Sequence, residues 1–564
     1  MHATVAGDTL RHIGHTSARL EVPTVSAVRT RGAAVADVLA LVGLAGIVIV
    51  AAAIRMWQIG AIGLNTDEAV YVGQAAAIAG DPSLAPYFPL FRAHPLLYQF
   101  MLATAFMAIG EVSDVVGRLV SAVVGVATVI LVYRLGRLLF GVRVGLVAAL
   151  LLAVMPYHVV VTRQVLLDGP MVLFATLALY AVARYGLTER PAWLYAAGSA
   201  MGLTFMAKET SIILFGAIYA LFALAPAIRV RLRDLALALV AFLATVAAVP
   251  MALLLAGGGA RTTTEQYLVW QLFRRPNHEA DFYPLTVPPA IGPMVLAAAA
   301  LALWLVRRRF DWRIRLLLAW IAVVVVFFQL WPVKGFQYLL PAAPPLAILA
   351  ALGLVLVAGG STESSPILAV RAPGRQTPAR GEIEAPPALA GARRWRPVAA
   401  PLLAGALTLV TAGTLAAQSW TLIQPSQSDV FLAGSGGIAG GRETGLWIRD
   451  HTPAGAQLMT IGPSMANVLA FYGHRTIHGL SVSPNPLRRN PSYDPIENPD
   501  LQVRSNELQY VAWDSYSAAR SPFFAAKLLD YVDRYHGREV YSYSVRPSGA
   551  DAPIPVIVVY EVRR

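Results

Sequence analysis

The sequence predicts a polytopic α-helical membrane protein that ends in a small extracytoplasmic α/β domain. Of its 564 residues, 57% are hydrophobic and only 14% are charged, whereas soluble domains contain about 25% charged residues. The mean hydropathy is +0.58. Apolar runs of roughly 20 residues, the length needed to cross a bilayer, recur up to residue 417, and short apolar strands with an amphipathic helix follow them.

Eleven apolar runs are interpreted as membrane spans. They lie near residues 36–57, 117–134, 143–161, 170–184, 191–207, 210–227, 234–256, 288–306, 316–332, 337–358 and 397–417. A further apolar run, from Pro95 to Gly110, is interpreted as a helix in the membrane interface or a re-entrant one. Counting it as a span would place Arg134, Arg137 and Arg143 outside and invert every later loop.

Basic residues indicate the orientation of the chain in the plasma (inner) membrane. With eleven spans, the predicted inner segments and the span ends next to them contain 23 basic residues, and the outer loops before residue 418 with their span ends contain nine. Basic residues concentrate on the cytoplasmic side, which predicts a cytoplasmic amino terminus and an outer carboxyl-terminal domain. The net charge of +13 does not indicate nucleic-acid binding, because residues 418–564 hold 13 basic and 13 acidic residues.

Composition also predicts the boundaries of five segments. Residues 1–35 read as a cytoplasmic tail, because this stretch is too long and the next run too hydrophobic for a cleaved signal peptide. Residues 36–358 form the main membrane domain, and 359–396 form a disordered basic linker rich in Pro, Ser, Arg and Glu. The last span, 397–417, precedes the outer domain of residues 418–564. The chain has no cysteine, which excludes disulfides, thiolate zinc sites and cysteine nucleophiles.

Ionisable residues cluster at the predicted outer side. Asp67 and Glu68 are adjacent in the first outer loop, and Asp168 precedes the fourth span. Lys208 lies at the outer end of the fifth span and Lys334 beyond the ninth. Charged groups at membrane depth usually face a cavity or one another, so these five residues predict a shared polar cavity in the outer leaflet.

Each of these residues also has a simpler explanation. Asp168 stands before Gly and Pro at the start of a span and could be a helix cap. Asp67 and Glu68 could be solvated, although adjacent carboxylates repel each other. The side chain of Lys208 could extend to the lipid headgroups. Two outer histidines, His94 and His278, could be ordinary interfacial polar residues.

An ordered set of motifs resembles a known family. The motifs are, in chain order, TDEAVY, HPLLYQF, GRLVSAVVGVATVILVYRLGRLLFG, RQVLLDGP, GLTFMAKET and YLLPAAPPLAILAALGL. Together they resemble the GT-C glycosyltransferases, in particular the branch of protein O-mannosyltransferases and ArnT-like aminoarabinose transferases. The resemblance covers residues 36–358. No single motif is specific, and the order of the set with each member on the predicted side carries the resemblance.

The resemblance implies a GT-C fold of about eleven transmembrane helices and an enzyme of the cell envelope. Such enzymes transfer a sugar from a polyprenyl-phosphate donor to an acceptor hydroxyl on the outer face, usually with inversion. Residues 36–358 would then be the catalytic domain. The implied partners are membrane lipid, the lipid-linked sugar donor and a glycan, lipid or protein acceptor.

The resemblance also assigns residues. Asp67, Glu68 and Tyr71 match the Asp-Glu-x-x-Tyr pattern of the first loop, Asp168 matches the acidic residue of the second loop, and Lys208 matches the lysine that holds the lipid phosphate. The substrate cavity would also contain His94, His278, Gln337 and Tyr338.

One position departs from the family pattern. Relatives often carry an arginine directly before Tyr-Leu-Leu-Pro, where this chain has Gln337. Lys334, Arg274 or Arg275 could supply the missing cation for the donor phosphate.

The expected chemistry follows from these residue types. Asp67 is the first candidate for the base that deprotonates the acceptor, and Glu68 competes for that role; such a base typically contributes about 10²–10⁴-fold to the rate. Lys208, with Lys334 second, would stabilise the departing phosphate. Asp168 could orient the base, bind sugar hydroxyls or, together with Asp67, ligate Mg²⁺ or Mn²⁺.

Three other functions fit parts of the pattern. A transporter or flippase of lipid-linked sugars would also place polar groups within a bundle of spans. A glycan-binding scaffold would use only the outer domain. A polymerase or ligase that consumes a diphosphate-linked glycan would differ from the first hypothesis in its donor alone.

Overall fold

The computed structural model describes residues 25–88, 94–225, 228–255, 269–308, 310–358, 399–425, 437–547, 549 and 551–562. The chain divides into one unit of residues 1–43 and a second of residues 44–564. In the first unit, the described residues belong to a helix that begins at Val25, earlier than the predicted start of the first span. The rest of the predicted tail and the predicted linker lie outside the described residues, so those segment boundaries stay predictions.

Before residue 424, the secondary-structure elements in the described part of the chain are all helices. Its helices are α1 (Val25–Met56), α2 (Thr66–Ala79), α3 (Leu97–Ile109), α4 (Asp114–Phe140), α5 (Val142–Val154), α6 (Pro156–Thr162), α7 (Asp168–Thr188), α8 (Pro191–Ala207), α9 (Leu214–Leu224), α10 (Leu232–Leu255), α11 (Phe282–Ile291), α12 (Pro293–Val306), α13 (Trp312–Leu330), α14 (Ala343–Val357) and α15 (Ala399–Ile423). Two 3₁₀ helices, Glu209–Ile213 and Phe336–Ala342, lead directly into α9 and α14.

Several of these helices can cross a membrane. Among the described residues, six are long and apolar enough, and the number rises to eight if each of two bent helix pairs forms one span. This confirms a multi-helix membrane architecture, while the count of eleven spans stays a prediction. Helix α3 has 13 residues, which is shorter than the roughly 20 that a span requires, in keeping with the predicted interfacial or re-entrant helix.

Three of the predicted spans are not single continuous α-helices in the structure. The run 143–161 bends by 60° between α5 and α6, and the run 288–306 bends by 88° between α11 and α12. Proline has no backbone N–H and disfavours helical geometry in the residue before it; Met155 before Pro156 is extended, and Gly292 before Pro293 has φ +101°. The run 210–227 begins as a 3₁₀ helix rather than an α-helix.

The carboxyl-terminal domain is α/β, as predicted. Its elements are α16 (Gly441–His451), β1 (Gln457–Thr460), α17 (Pro463–Gly473), β2 (Thr476–Gly479), α18 (Pro499–Arg504), β3 (Leu508–Asp514), α19 (Ser515–Arg520), α20 (Pro522–Arg534), β4 (Arg538–Val545) and β5 (Ile554–Glu561), with a 3₁₀ turn at Pro486–Arg488. The strand order is β2-β1-β3-β5-β4. Strand β1 is parallel to β2 and β3, and β5 is antiparallel to β3 and β4. Helix α17 and strand β2 were not predicted.

The domain packs on the segment around α2 and α3. A single buried apolar cluster contains Leu64 and Phe106 from the segment around α2 and α3, and Val468 from α17. The Tyr472 hydroxyl accepts a hydrogen bond from the Leu64 N–H at 2.9 Å and donates one to Asp114 at 2.7 Å. This packing brings the carboxyl-terminal domain over the side of the protein to which α2 belongs.

Candidate active site

A cavity of about 440 Å³ lies between α2, the ends of α7 and α8, residues 333–338 and the carboxyl-terminal domain. Most of the predicted site residues line it: Asp67, Tyr71, His94, Asp168, Lys208, Arg274, Lys334, Gln337 and Tyr338. The lining does not include Glu68, Arg275 or His278. Residues from six separate regions of the sequence therefore meet at one polar cavity.

The acidic pair of the first loop lies in the first turn of α2. Asn65 caps this helix: its side chain accepts from the Glu68 N–H, and the Glu68 carboxylate accepts from the Asn65 N–H at 3.0 Å. Glu68 is thus the acidic member of a capping box. Consecutive helical residues are about 100° apart around the axis. Asp67 therefore points in another direction, and it lines the cavity.

Glu68 is fully buried and its carboxylate is saturated. Arg118 of α4 donates to both of its oxygens, at 2.8 and 2.6 Å. The N–H of Val165, in the loop before α7, adds a third bond of 2.9 Å. A carboxylate held by a bidentate guanidinium and two backbone N–H groups joins α2, α4 and this loop, and it has no free position for a substrate.

Asp67 has a different environment. It is partly exposed to the cavity, and burial raises the pKa of its carboxyl group, while the nearby charges of Lys208, His94 and Arg520 oppose that rise. A carboxylate that burial makes more basic and that faces a cavity is suited to accept a proton. Asp67 is therefore better placed than Glu68 to act as a base.

Asp168 and Lys208 form a buried ion pair in the cavity wall. The ammonium group donates to both carboxylate oxygens, at 2.8 and 2.9 Å. It also lies 4.4 Å from the centroid of the Tyr338 ring. Only 2% of Asp168 and 7% of Lys208 is exposed, so the alternatives of a solvated helix cap and of a lysine extended to lipid headgroups do not describe this pair.

The geometry of the chain explains this placement. Asp168 is the first residue of α7, and Lys208 is an extended residue (φ −157°, ψ 118°) between the end of α8 and the following 3₁₀ helix. The two helix ends lie side by side, so a short acidic side chain meets a long basic one. A buried charge of either sign requires such a partner.

The other predicted cations make different contacts. Lys334 donates to the carbonyls of Gln329 and Trp331, at 2.9 and 3.3 Å, and so caps the carboxyl end of α13. Arg274 lies 4.7 Å above the Trp270 ring and lines the cavity. Arg275 is exposed and is not part of the lining.

The two predicted histidines are separated by the fold. The Nδ1 atom of His94 lies 2.9 Å from a carboxylate oxygen of Glu209, and its ring meets the Tyr71 ring edge-on at 6.3 Å. His278 stacks on Phe282 at 4.1 Å and lies outside the cavity lining. The structure thus adds Glu209 to the predicted set and leaves His278 apart from it.

Gln337 occupies the position where relatives often carry arginine. Its side chain is 7% exposed, lines the cavity, and has an amide oxygen without a hydrogen-bond partner among the described residues. Buried polar atoms normally have partners. This amide is therefore available to a ligand in the cavity.

The carboxylates do not fit a metal centre well in this arrangement. Among the described residues, no group of three or more His, Asp or Glu side chains could hold a metal ion. Asp168 already uses both oxygens on Lys208. The predicted Mg²⁺ or Mn²⁺ site at Asp67 and Asp168 stays a prediction.

Sequence reasoning missed two kinds of residue. Arg118 was recognisable as a lone arginine at the start of a predicted span, where an ionisable group requires a partner. Arg488, Arg489 and Arg520 line the cavity from the carboxyl-terminal domain. Nothing in their local sequence indicates this, because their position depends on how that domain packs on α2.

Comparison with known proteins identifies the fold. The sequence model of the family described as dolichyl-phosphate-mannose-protein mannosyltransferase matches residues 93–253. Among curated protein sequences, no match is found.

Solved structures match nearly the whole chain. ArnT from Cupriavidus metallidurans in the apo state is 14% identical with a TM-score of 0.62, over 93% of this chain and 98% of that one. ArnT bound to undecaprenyl phosphate gives 15% identity and a TM-score of 0.59, over 93% and 97%. The archaeal oligosaccharyltransferase AglB from Archaeoglobus fulgidus was solved in complex with an inhibitory peptide and a dolichol-phosphate. It is 14% identical with a TM-score of 0.55, over 92% of this chain and 76% of that one.

These matches confirm the resemblance stated from the sequence. The chain has the GT-C fold of the lipid-phosphate-dependent membrane glycosyltransferases, with a carboxyl-terminal α/β domain. At such low identity the likeness shows the fold, and the activity is argued from the site.

Proposed function

We propose that the protein is a membrane glycosyltransferase that transfers a sugar from a polyprenyl-phosphate donor to an acceptor hydroxyl on the outer face of the membrane. One observation carries the proposal: Asp67, a carboxylate with a raised pKa and no part in the capping box, shares a cavity with the buried Lys208–Asp168 pair. The GT-C fold, the undecaprenyl phosphate bound in one of the ArnT structures and the dolichol-phosphate bound in the AglB structure support it.

The proposed reaction forms one bond to the anomeric carbon, transfers one proton and breaks one bond. The acceptor hydroxyl oxygen forms a bond to the anomeric carbon, and its proton passes to a carboxylate oxygen of Asp67. The bond between the anomeric carbon and the phosphate oxygen breaks, and both its electrons leave with the polyprenyl phosphate. Attack from the side opposite the phosphate inverts the anomeric centre.

Lys208 is suited to hold the departing phosphate. Its ammonium group is buried, where a positive charge stabilises a developing negative charge more strongly than in water. Asp168 keeps that ammonium in place through two hydrogen bonds. In this proposal Asp168 is a positioning residue for Lys208, and Arg274 is a second cation at the cavity wall.

Transfer of the label from a polyprenyl-phosphate sugar tests the proposal. The protein in proteoliposomes, with donor and an envelope extract as acceptor source, should release free polyprenyl phosphate in equal amount to transferred sugar. The Asp67→Asn variant should insert and fold but release both products about 10²–10⁴-fold more slowly. Movement of intact donor across the bilayer without bond cleavage would favour a flippase and overturn the proposal. Release from a diphosphate-linked glycan alone would favour a polymerase or ligase.

A further inference from the structure

A second, smaller cavity adjoins the main one. It has a volume of about 180 Å³ and lies between the start of α2 and the carboxyl-terminal domain; we call it the side cavity. Its volume is roughly ten times the ~10–15 Å³ that one water molecule needs. Five residues line both cavities, which makes them neighbours: Thr66, Pro463, Ser464, Ser481 and Arg520.

The walls of the side cavity are rich in hydroxyl groups. They include the side chains of Thr66, Ser464, Ser481, Tyr516, Ser517 and Ser521. Hydroxyl groups both donate and accept hydrogen bonds, so they suit a ligand that does the same. Among the described residues, Arg520 is the only cation in this lining, and the two cations proposed for the donor phosphate, Lys208 and Arg274, are absent from it.

Asp514 is the single carboxylate among the described residues of the lining. Its side chain is completely buried. The Oδ1 atom accepts from the Ser517 N–H at 2.6 Å and so caps α19. The Oδ2 atom has no hydrogen-bond partner among the described residues.

A buried carboxylate oxygen without a hydrogen-bond partner lowers the stability of the folded protein. A ligand that donates hydrogen bonds would remove this cost, and a carboxylate accepts but cannot donate when ionised. Asp514 therefore selects for donors such as hydroxyl groups and against phosphate or carboxylate groups. Hydroxylated walls and one buried acceptor together describe a site for a polyol.

We propose that the side cavity binds a sugar residue of the acceptor, whose hydroxyl groups donate hydrogen bonds to Oδ2 of Asp514, so that the acceptor is a glycan. This inference rests on the proposed function. Thr66 borders both cavities and directly precedes Asp67. An acceptor hydroxyl at Asp67 would therefore have its neighbouring sugar at the side cavity, while the donor phosphate lies in the main cavity at Lys208, which does not line the side cavity.

Two variants test the inference. Asp514→Asn keeps an oxygen to cap α19, because Asn and Asp are comparable caps, but it replaces the free acceptor with a donor. Ser521→Leu fills the side cavity at a residue that lines only this cavity and whose side chain makes no cap bond. Asp311→Asn is the matched control, since Asp311 caps α13 through the N–H groups of Arg313 and Ile314.

The acceptor probes are an envelope glycolipid fraction, a delipidated envelope polysaccharide fraction and a peptide rich in serine and threonine. We expect wild-type transfer to one of the two glycan fractions, and the fraction used identifies a lipid-linked or a free glycan. Both variants should raise the KM for that fraction at least tenfold, with the donor KM close to wild type and no loss in unfolding temperature. Asp311→Asn should change neither KM.

The outcomes separate the two proposals. Transfer to the peptide alone, or an unchanged acceptor KM in both variants, would overturn the glycan site while the glycosyltransferase proposal stands. An unchanged KM would mean that the side cavity holds only water. Absence of transfer to every probe by the wild type, with intact donor recovered, would count against both.

Discussion

Glu68 and Arg118 are joined by hydrogen bonds of 2.8 and 2.6 Å in a fully buried pair, 50 residues apart in the chain. This pair gives the two neighbouring carboxylates of the first outer loop different tasks. Glu68 fixes the start of α2 to α4, and this fixed start directs Asp67 toward the cavity.

Variants of the acidic pair should therefore fail in different ways. Asp67→Asn should lower transfer by about 10²–10⁴-fold, the usual contribution of a general base, with little change in unfolding temperature. Glu68→Gln should destabilise the protein by about 3–5 kcal/mol, because it leaves the Arg118 charge buried without a counter-charge. Transfer assays and thermal unfolding of the purified variants measure the two effects. The same loss of activity without loss of stability in both variants would contradict this division.

The pH dependence should report on Asp67. Since burial raises its pKa above the ordinary value of 3.8 and the base must be deprotonated, transfer should fall on acidification with a midpoint above that value. Single-turnover transfer measured across the acid range locates the midpoint. The residual activity of Asp67→Asn should not show this fall on acidification. A wild-type midpoint at or below pH 3.8 would exclude Asp67 as the base.

The effects of substituting Lys208 and Asp168 on the stability of the protein should be strongly coupled. Lys208→Met should reduce transfer by about 10²–10³-fold, as loss of a preorganised group at a developing negative charge does elsewhere. It should also destabilise the fold, because Asp168 is left buried and unpaired. The double variant Lys208→Met with Asp168→Asn should regain stability but not activity. If it regains neither, or if binding of polyprenyl phosphate is unchanged in Lys208→Met, Lys208 does not hold the phosphate.

Asp514 should make stability depend on pH in a defined direction. Burial raises the pKa of Asp514 to about 6, from an ordinary 3.8. The folded state then binds the proton more tightly than the unfolded state, so this residue's contribution to stability is greatest below pH 3.8 and is lost as the pH rises to about 6. Asp514→Asn should consequently be more stable than wild type at pH 7.5, by the order of 1–3 kcal/mol.

Thermal unfolding at several pH values measures this difference. The advantage of Asp514→Asn should shrink as the pH falls below 6. A difference that is the same at pH 5 and pH 8 would show that ionisation of Asp514 is not its cause.

Tyr472 should link the carboxyl-terminal domain to the first outer loop. Tyr472→Phe removes the bonds to Leu64 and Asp114 and should cost about 1–3 kcal/mol. Limited proteolysis should then cut the loop around α2 faster than in wild type. Tyr560→Phe in β5 is a suitable control, and equal cleavage in the two variants would argue against the link.

The sequence allowed much of the fold and site to be predicted, within clear physical limits. Length and hydropathy predict spans because a bilayer requires about 20 apolar residues, but they do not predict the bends at Pro156 and Pro293. The pattern of spans and charges predicted that Asp67, Asp168 and Lys208 lie on the same side of the membrane. It did not separate Asp67 from Glu68, since that depends on helix phase and on Arg118. The contribution of Arg520 depends on domain packing, for which one sequence carries no local signal.

The packing of the carboxyl-terminal domain on the first outer loop also sets an order of biosynthesis. Leu64 and Tyr472 are 408 residues apart in the chain. At a synthesis rate of about 5–20 residues per second, roughly 20–80 s separate their emergence from the ribosome. During that interval the apolar faces of α2 and α3 lack their final partner, and the cavity lacks one wall. The cavity is therefore complete only when the last part of the chain has been translated and folded.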